Sequence, residues 1–305
     1  MTEPQRPAAK PLKGNGEKGV LFRGLSCFLS GILLLMACRL TPIPQESPPS
    51  QSLPASPSTA VPTITPLPPQ PTPISNPSPI PDTGWVQLGK GLERRVLDIE
   101  GEGAPASLYL LRLEPARFHF GIAYHPGQPQ TLPEWEEETG ALLLVNGGFF
   151  TESFTATGLI IVDGAASGVT YGDFAGMLAI MAAGPEIRWL RQQPYNPNEP
   201  LRYALQSFPL LVQPGGRVGY ERADDTPSRR TVIAQDNTGR ILFALVPWGG
   251  VTLPQLAAWL AASDLAIDIA LNLDGGSSTG LLLTQPSEII PPLTPLPAVI
   301  TVQRK

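Results

Sequence analysis

Proline is concentrated in one stretch of this 305-residue chain, and that stretch is unsuited to a packed domain. Residues 41–83 contain 15 Pro and 13 Ser or Thr, and their only charged side chains are Glu46 and Asp82. Such a segment buries too little apolar surface to offset the entropy lost on ordering. We therefore expect a disordered, partly polyproline II linker, followed by one folded domain at 84–305. A Pro-rich ligand for a partner domain is the alternative, although the basic residues usual in such motifs are missing.

The segment before the linker has the pattern of a bacterial lipoprotein signal peptide. Five basic residues within 1–23 precede an apolar run at 24–37, which is too short to span a bilayer as a helix but suits a signal-peptide core. Ala37 before Cys38, with Leu35 two residues earlier, resembles a lipobox. We expect residues 1–37 to be removed and Cys38 to be lipidated, which would anchor the chain on the extracytoplasmic face of a bacterial cell membrane. A plain signal peptide or a short anchor helix is the alternative.

Charge and residue usage exclude several classes of protein. The chain has 21 Lys and Arg against 26 Asp and Glu, a net charge of −5, whereas a nucleic-acid-binding protein needs a basic face. Two Cys cannot form a disulfide scaffold, and two His argue against a His-rich metal site. We therefore expect no nucleic-acid partner and no His-rich metal site. The sequence identifies no metal ligands and no cofactor, and it leaves any requirement for a divalent metal open.

Hydrophobic patterning after residue 84 predicts an α+β fold, a single strand-rich domain with a mixed β-sheet and a few packed helices. Helices are expected at about 131–139 and 252–262, because each begins with a capping box and has Pro in its first turn. Short apolar or alternating runs separated by turn signals predict strands at 107–113, 117–124, 141–145, 158–163, 177–182, 187–191, 202–206, 209–213, 231–236, 241–247 and 265–271.

The two predicted helices begin an approximate internal repeat of helix, buried strand and glycine loop. The first strand ends in Asn146, Gly147 and Gly148, and the second ends in the sequence NLDGGSST at 272–279. Polar loops at strand ends are where sites form in α/β sheets, so we expect both loops to line one cleft. The alternative is that two unrelated units share common helix-start signals.

The 272–279 loop is the more specific of the two for chemistry. It brings the Asp274 carboxylate, an amide, hydroxyls and several glycine N–H groups to the end of an apolar strand, and such N–H groups can hold phosphate oxygens. Asp274 could instead cap its own turn. The first loop, NGGFF at 146–150, could equally be a structural turn with Phe149 and Phe150 in the core.

A serine-hydrolase motif overlaps the second loop but does not fit the rest of the chain. Residues 276–280 match G-x-S-x-G, the nucleophile elbow of α/β hydrolases, in which the histidine follows the serine. His119 and His125 both precede the motif, so the triad cannot form in its usual order. His119 is better interpreted as a structural residue in an alternating strand.

Six features in order resemble the phosphodiester glycosidase family. They cover roughly residues 106–303, and an ordered set is more specific than any one motif. Where the family often has a third glycine after the aspartate, this chain has Ser277. The six features are NGGFF at 146–150, Gly158 with Asp163-Gly164, Gln206-Ser207 before an apolar run, Arg230-Thr231 opening a strand, Thr252-Leu253 opening a helix, and NLDGG at 272–276.

The resemblance implies hydrolysis of a sugar-1-phosphodiester in a cell-envelope or extracellular glycan. Asp274, Arg230 and Asn146 are the expected catalytic residues, with Arg230 as a bidentate phosphate clamp beside Arg229. The alternative for this arginine pair is a solvated pair near Asp224 and Asp225. Substrate or phosphate contacts are expected from Gly147, Gly148, Gln206, Asn272, Gly275, Gly276, Ser277 and Ser278.

A non-catalytic function fits the same organisation. A lipoprotein on a Pro-rich stalk could bind phosphodiester-linked glycans of the envelope without cleaving them. A carboxylate beside an anionic ligand weakens binding, so Asp274 favours catalysis over pure anion binding. Release of free sugar from a synthetic sugar-1-phosphodiester would distinguish the two functions.

Overall fold

The computed structural model describes residues 82–101, 105–222 and 226–305. The predicted signal peptide, Cys38 and nearly all of the predicted linker lie outside the described residues. Within those ranges, none of the helices has the length and apolar character needed to cross a membrane.

The described residues form two α-helices, two short 3-10 turns and many short strands. The helices are α1 (Leu132–Thr139) and α2 (Leu253–Ala262), and the 3-10 turns span Pro115–Arg117 and Gly276–Ser278. The strands are β1 (Val86–Gly89), β2 (Leu92–Ile99), β3 (Ala106–Leu113), β4 (Phe118–Tyr124), β5 (Leu143–Asn146), β6 (Ile160–Val162), β7 (Ala165–Ser167), β8 (Gly176–Met181), β9 (Gly184–Trp189), β10 (Tyr203–Ser207), β11 (Leu210–Gln213), β12 (Arg217–Val218), β13 (Ser228–Asp236), β14 (Ile241–Val251), β15 (Ile267–Asn272), β16 (Leu281–Leu283), β17 (Glu288–Ile290) and β18 (Ala298–Arg304).

Both predicted helices are confirmed, and local sequence explains where they begin. The Thr131 hydroxyl accepts the N–H of Glu134, and the Glu134 carboxylate accepts the N–H of Thr131 in return. Thr252 and Gln255 form the same reciprocal pair at the start of α2. A capping box satisfies two of the N–H groups that a helix start leaves without partners.

The strands form three sheets, so the prediction of one mixed sheet is wrong, although the α+β class holds. The first sheet has the order β1-β2-β3-β14-β13-β15-β11-β12, the second β7-β6-β10-β8-β9 and the third β17-β16-β5-β18-β4. Every strand pair in these described sheets is antiparallel.

The route of the two helices explains why no parallel pair forms. The helix α1 connects β4 to β5, and α2 connects β14 to β15. In each case the two connected strands run in the same direction, but a third strand, β18 or β13, lies between them and pairs with both. The predicted repeat therefore exists as a strand–helix–strand unit whose gap is filled by an antiparallel strand.

Alternating side chains of the first sheet pack into two separate hydrophobic cores, one on each face. Leu111 and Ile233 face the side shared with the second and third sheets, where they pack in a cluster with Val145. Leu110 and Val232, one residue earlier in each strand, pack in a different cluster that includes residues of α2. Because successive side chains of a strand point to opposite faces, a sheet covered on both sides needs nearly continuous apolar runs. The first sheet is thus held rigidly, and the strand ends that lead into the glycine loops are fixed.

Candidate active site

The two glycine loops meet, as the internal repeat predicts. The Asn146 amide nitrogen donates to the Asp274 carbonyl oxygen at 2.7 Å. The Asp274 N–H donates to the Gly147 carbonyl oxygen at 3.2 Å. These two hydrogen bonds join the end of β5, in the third sheet, to the loop after β15, in the first sheet. A carboxylate is thereby fixed at the place where two sheets converge.

Asn146 is completely buried, and its amide is used within the protein. Its oxygen accepts the Thr231 hydroxyl at 2.8 Å and the Gly280 N–H at 3.1 Å. Its nitrogen donates to the carbonyls of Asp274 and Gly147. A primary amide has two donor hydrogens and two acceptor lone pairs, so the hydrogen-bonding capacity of Asn146 is filled. These hydrogen bonds make Asn146 a link between the two glycine loops, and the direct catalytic contact expected from the sequence stays a prediction.

Asp274 has the environment of a reactive carboxyl group. Burial raises the pKa of this carboxyl above its usual value, while hydrogen bonds from the Ser278 hydroxyl and the Gly275 N–H lower it in part. The Gly275 bond measures 2.9 Å. A partly buried carboxyl with a raised pKa is suited to proton transfer.

Close packing constrains three glycines of the two loops, whereas a Cβ atom on Gly276 would meet nothing within 4 Å. A Cβ atom on Gly275 would lie 2.8 Å from the Arg229 carbonyl oxygen, and one on Gly147 would lie 3.0 Å from the Ala298 carbonyl oxygen. A Cβ on Gly148 would lie 3.2 Å from the Gln206 carbonyl oxygen. Since real Cβ atoms are essentially never found under 3.0 Å from such atoms, Gly275 in particular tolerates no side chain. These contacts are with the protein's own backbone, which explains these glycines without a ligand.

The expected phosphate-binding nest is only partly available. The Gly275 N–H is used by the Asp274 carboxylate, and the Ser278 N–H donates to the Gly275 carbonyl at 3.0 Å. Gly276 and Ser277 begin the 3-10 turn, where the first N–H groups have no partner within the turn. Ser277 is exposed, whereas Ser278 is buried beneath the loop.

The two neighbouring arginines point to different surroundings, and Arg229 is the one that contacts the Asp274 loop. Arg230 donates from Nε to the Val251 carbonyl at 3.0 Å and from Nη2 to the Thr226 carbonyl at 2.6 Å. Arg229 donates from Nη2 to the Thr279 carbonyl at 2.8 Å, within the loop region. The phosphate clamp expected at Arg230 therefore has two of its nitrogens bound to main-chain oxygens.

Arg229 is a partly buried cation. Its second main-chain partner is the Pro291 carbonyl at 3.0 Å, and its Nε is buried with no hydrogen-bond partner among the described residues. Burial lowers the pKa of its guanidinium. A cation stripped of water without an anionic partner is stabilised by any anion that binds next to it.

Gln206 and Asn272 are buried and hold loops of the site. The Gln206 side-chain oxygen accepts the Tyr171 N–H at 2.7 Å and the Thr170 hydroxyl at 3.2 Å. The Asn272 amide nitrogen donates to the Phe208 carbonyl at 2.9 Å, and its buried oxygen has no partner among the residues described. Both amides therefore fix backbone segments beside the site, where the sequence had suggested substrate contacts.

Tyr171 is a site residue that the sequence analysis missed. Burial is the largest cause of its raised pKa, and the negative charge of Asp274 also raises it. Its hydroxyl shares a 2.5 Å hydrogen bond with the Thr157 hydroxyl. Tyr171 lies in an irregular loop where neither helical nor strand periodicity applies, so the one available signal was an aromatic residue among glycines and polar residues.

A large cavity lined by described residues lies elsewhere. It has a volume of about 950 Å³, and β4, β18 and the second sheet line it, with His119 and His125 among its residues. A cavity of only about 10 Å³ is lined by Gly148, Phe149 and Gln206 beside the glycine loops. The described residues contain no group of three His, Cys, Asp or Glu side chains arranged to hold a metal ion. The hydrogen bonds between the two glycine loops and the raised pKa of Asp274, not cavity size, make the Asp274 region the candidate site.

The sequence pattern of the phosphodiester glycosidase family matches residues 139–302, more than half of the chain. The chain belongs to the phosphodiester glycosidase family. The matched range contains both glycine loops, Gln206, Arg229 and Arg230. The family resemblance expected from the six ordered features is thus confirmed.

Solved structures share the fold of this glycosidase-family chain. The catalytic domain of zebrafish N-acetylglucosamine-1-phosphodiester alpha-N-acetylglucosaminidase, auto-inhibited by its pro-peptide, is similar with a TM-score of 0.57 and 17% identity, over 70% of this chain and 83% of that one. A hypothetical protein from Synechocystis is similar with a TM-score of 0.54 and 15% identity, over 75% of this chain and 64% of that one. No curated protein matches the chain.

Proposed function

We propose that this protein hydrolyses a sugar-1-phosphodiester, with Asp274 as the catalytic carboxylate. The observation that carries the proposal is the junction of the two glycine loops, which holds a partly buried carboxyl of raised pKa inside the family's matched segment. Glycosidases stabilise an oxocarbenium-like transition state with carboxyl groups. Asp274 has the chemistry that this reaction requires.

In the proposed reaction, water attacks the anomeric carbon of the sugar. Asp274 accepts the proton of that water, the bond from the anomeric carbon to the phosphate oxygen breaks, and the electron pair leaves with the phosphate. The products are the free sugar and a phosphate monoester. The monoester is a good leaving group, so anion stabilisation matters more than proton donation.

Arg229 is our proposed source of that anion stabilisation. Its guanidinium is bound to the Thr279 carbonyl, five residues after Asp274, and it has lost solvent without gaining an anionic partner among the described residues. A planar guanidinium can donate two parallel hydrogen bonds to a phosphate group. The Gly276 and Ser277 N–H groups and the exposed Ser277 hydroxyl are proposed to bind the remaining oxygens.

The decisive experiment uses the purified chain and a set of synthetic sugar-1-phosphodiesters. Free reducing sugar and phosphate monoester should appear in equal amounts, and Asp274→Asn should abolish their release. If a substrate binds but neither product forms with the wild-type chain, the protein is a glycan-binding module of the envelope and the catalytic proposal fails.

We also propose that the protein is a lipoprotein anchored on the extracytoplasmic face of a bacterial membrane. The support is the sequence around Cys38 together with the Pro-rich spacer. Cys38→Ser should move the protein from the membrane fraction to the soluble fraction, or leave it uncleaved, without changing hydrolysis. Equal membrane retention of a cleaved Cys38→Ser chain would contradict lipidation.

A further inference from the structure

Four aromatic rings pack together on loops that adjoin the two glycine loops. Phe208 is at the centre, with ring centroids 4.8 Å from Phe149, 5.1 Å from Tyr171 and 5.5 Å from Phe174. Tyr171 and Phe174 also contact each other at 6.0 Å. We call these four residues the aromatic cluster. Its members come from three loops that are distant in sequence, so only the fold brings them together.

The aromatic cluster is tied to the same loops as the candidate catalytic residue. Phe149 directly follows Gly148 of the first glycine loop. Asn272, two residues before Asp274, donates to the Phe208 carbonyl. Tyr171 is held by Gln206 at its N–H and by Thr157 at its hydroxyl. The loops that carry the rings are therefore joined by hydrogen bonds and by chain continuity to the loops of the candidate site, which preorganises a binding surface.

One face of the cluster is open to solvent. Phe174 is 53% exposed, and Val169, on the same loop, is 71% exposed. Exposed large apolar side chains gathered at one place, with polar groups beside them, are typical of a binding surface. Here the neighbouring polar groups are the hydroxyls of Thr157, Thr170 and Tyr171.

We propose that the aromatic cluster is the platform on which the pyranose ring of the substrate stacks, with Phe174 as its exposed ring. This inference rests on the proposed function, because it assigns the sugar to this side of Asp274. A pyranose has faces of C–H groups, which pack on the electron-rich face of an aromatic ring, and a rim of hydroxyls. The hydroxyls of Thr157, Thr170 and Tyr171 lie next to the rings and make hydrogen bonds within the protein. A hydroxyl both donates and accepts, so these groups can also meet the hydroxyl rim of a sugar.

The test compares two alanine variants of side chains with equal exposure. Phe174→Ala removes the exposed ring of the cluster, and Ile289→Ala, at a side chain that is also 53% exposed but lies on β17 outside the cluster, is the control. Both are made in the full-length Asp274→Asn chain, so that no ligand is consumed. Isothermal titration calorimetry then measures Kd for N-acetylglucosamine 1-phosphate and for glycerol 3-phosphate, which lacks a sugar ring.

We expect Phe174→Ala to raise Kd for the sugar phosphate about 3- to 10-fold and to leave Kd for glycerol phosphate unchanged. Ile289→Ala should change neither value, and Phe174→Trp should retain sugar binding. The inference would be overturned if Phe174→Ala weakened the binding of both ligands equally or weakened neither. It would also be overturned if the Asp274→Asn chain itself did not bind the sugar phosphate. If Phe174→Ala does not fold, as judged by circular dichroism, Phe174→Leu replaces it with the same expectations.

These measurements distinguish failure of the platform inference from failure of the proposed function. If the chain binds the sugar phosphate through Phe174 but wild-type protein hydrolyses no sugar-1-phosphodiester, the platform stands and the catalytic proposal fails. If hydrolysis occurs and Phe174→Ala has an unchanged KM, the catalytic proposal stands and the platform fails.

Discussion

Replacing Asn146 with alanine tests whether this residue positions the site or contacts the substrate. The change removes the hydrogen bonds that the amide makes to the Thr231 hydroxyl, the Gly280 N–H and the Asp274 carbonyl. A buried polar group left without a partner costs about 1–3 kcal/mol. The Thr231 hydroxyl can rotate toward another acceptor, so the Gly280 and Asp274 groups dominate. We expect Asn146→Ala to lower the free energy of unfolding by about 4 kcal/mol.

Urea denaturation measures this change. The midpoint should fall while the slope stays constant, because the surface exposed on unfolding is nearly the same. Asn272→Ala is the matched control, since its amide makes one described hydrogen bond, to the Phe208 carbonyl, and we expect it to cost about 1–3 kcal/mol. Turnover of Asn146→Ala should also fall, because the Asp274 loop loses its anchor. A loss of turnover with a stability change below about 1 kcal/mol would refute the positioning role.

Three further predictions concern the site and the fold. Asp274→Asn should lower kcat by about two to four orders of magnitude with little change in stability. The kcat of the wild-type protein should fall with decreasing pH, because this carboxyl, whose pKa is raised, becomes protonated. Near-normal turnover of the variant would assign the catalytic role to another carboxylate. Arg229→Ala should raise KM and lower kcat more than Arg230→Ala does, and Arg229→Lys should retain part of the activity that Arg229→Ala loses. Steady-state kinetics that show a larger effect for Arg230→Ala would assign the phosphate clamp to Arg230. Burial raises the pKa of Asp236, but hydrogen bonds from Thr238 and Arg240 outweigh it, so the pKa in the folded protein is lowered. The ionised Asp236 therefore stabilises the folded state fully at any pH above the ordinary pKa of a carboxyl, and this stabilisation is lost as the pH falls through the lowered pKa of the folded state. Asp236→Ala leaves the N–H groups of Thr238 and Arg240 without their acceptor, and we expect it to cost about 1–3 kcal/mol at pH 7 and less at pH 2 in thermal unfolding. A pH-independent cost would contradict this reasoning.

Local sequence determined the helices, most of the strands and the location of the candidate site. Capping boxes act within four residues, so Thr131 and Thr252 could be recognised as helix starts without any tertiary information. Apolar runs next to glycines predicted the strand ends at Asn146 and Asn272. The order of the motifs then indicated the family, because ordered spacing along a chain is visible in one dimension.

Partner assignments within the site came only from the tertiary structure. The sequence favoured Arg230 over Arg229 as the phosphate ligand, yet a register irregularity in β13 lies between Ser228 and Arg230, where the pairing with β14 shifts. At such a bulge the alternation of side chains is interrupted, so the face to which a residue points cannot be read from its position in the strand. Asn146 was likewise expected to contact substrate. Three groups that its amide bonds, in Thr231, Asp274 and Gly280, lie 85 to 134 residues away along the chain, so the sequence could not indicate that they are its partners.

Tertiary structure alone also decided the sheet pairing and the aromatic cluster. The sequence predicted strands joined by helices, which favours parallel pairing, but β13 and β18 fill the gaps between the connected strands and make every described pair antiparallel. Tyr171, Phe174 and Phe208 sit in segments without periodicity and meet only when the three sheets pack. Helix caps and strand-forming apolar runs depend on neighbours along the chain. Strand order, ring contacts and buried hydrogen bonds depend instead on groups that folding brings together, and a single sequence does not specify those pairings.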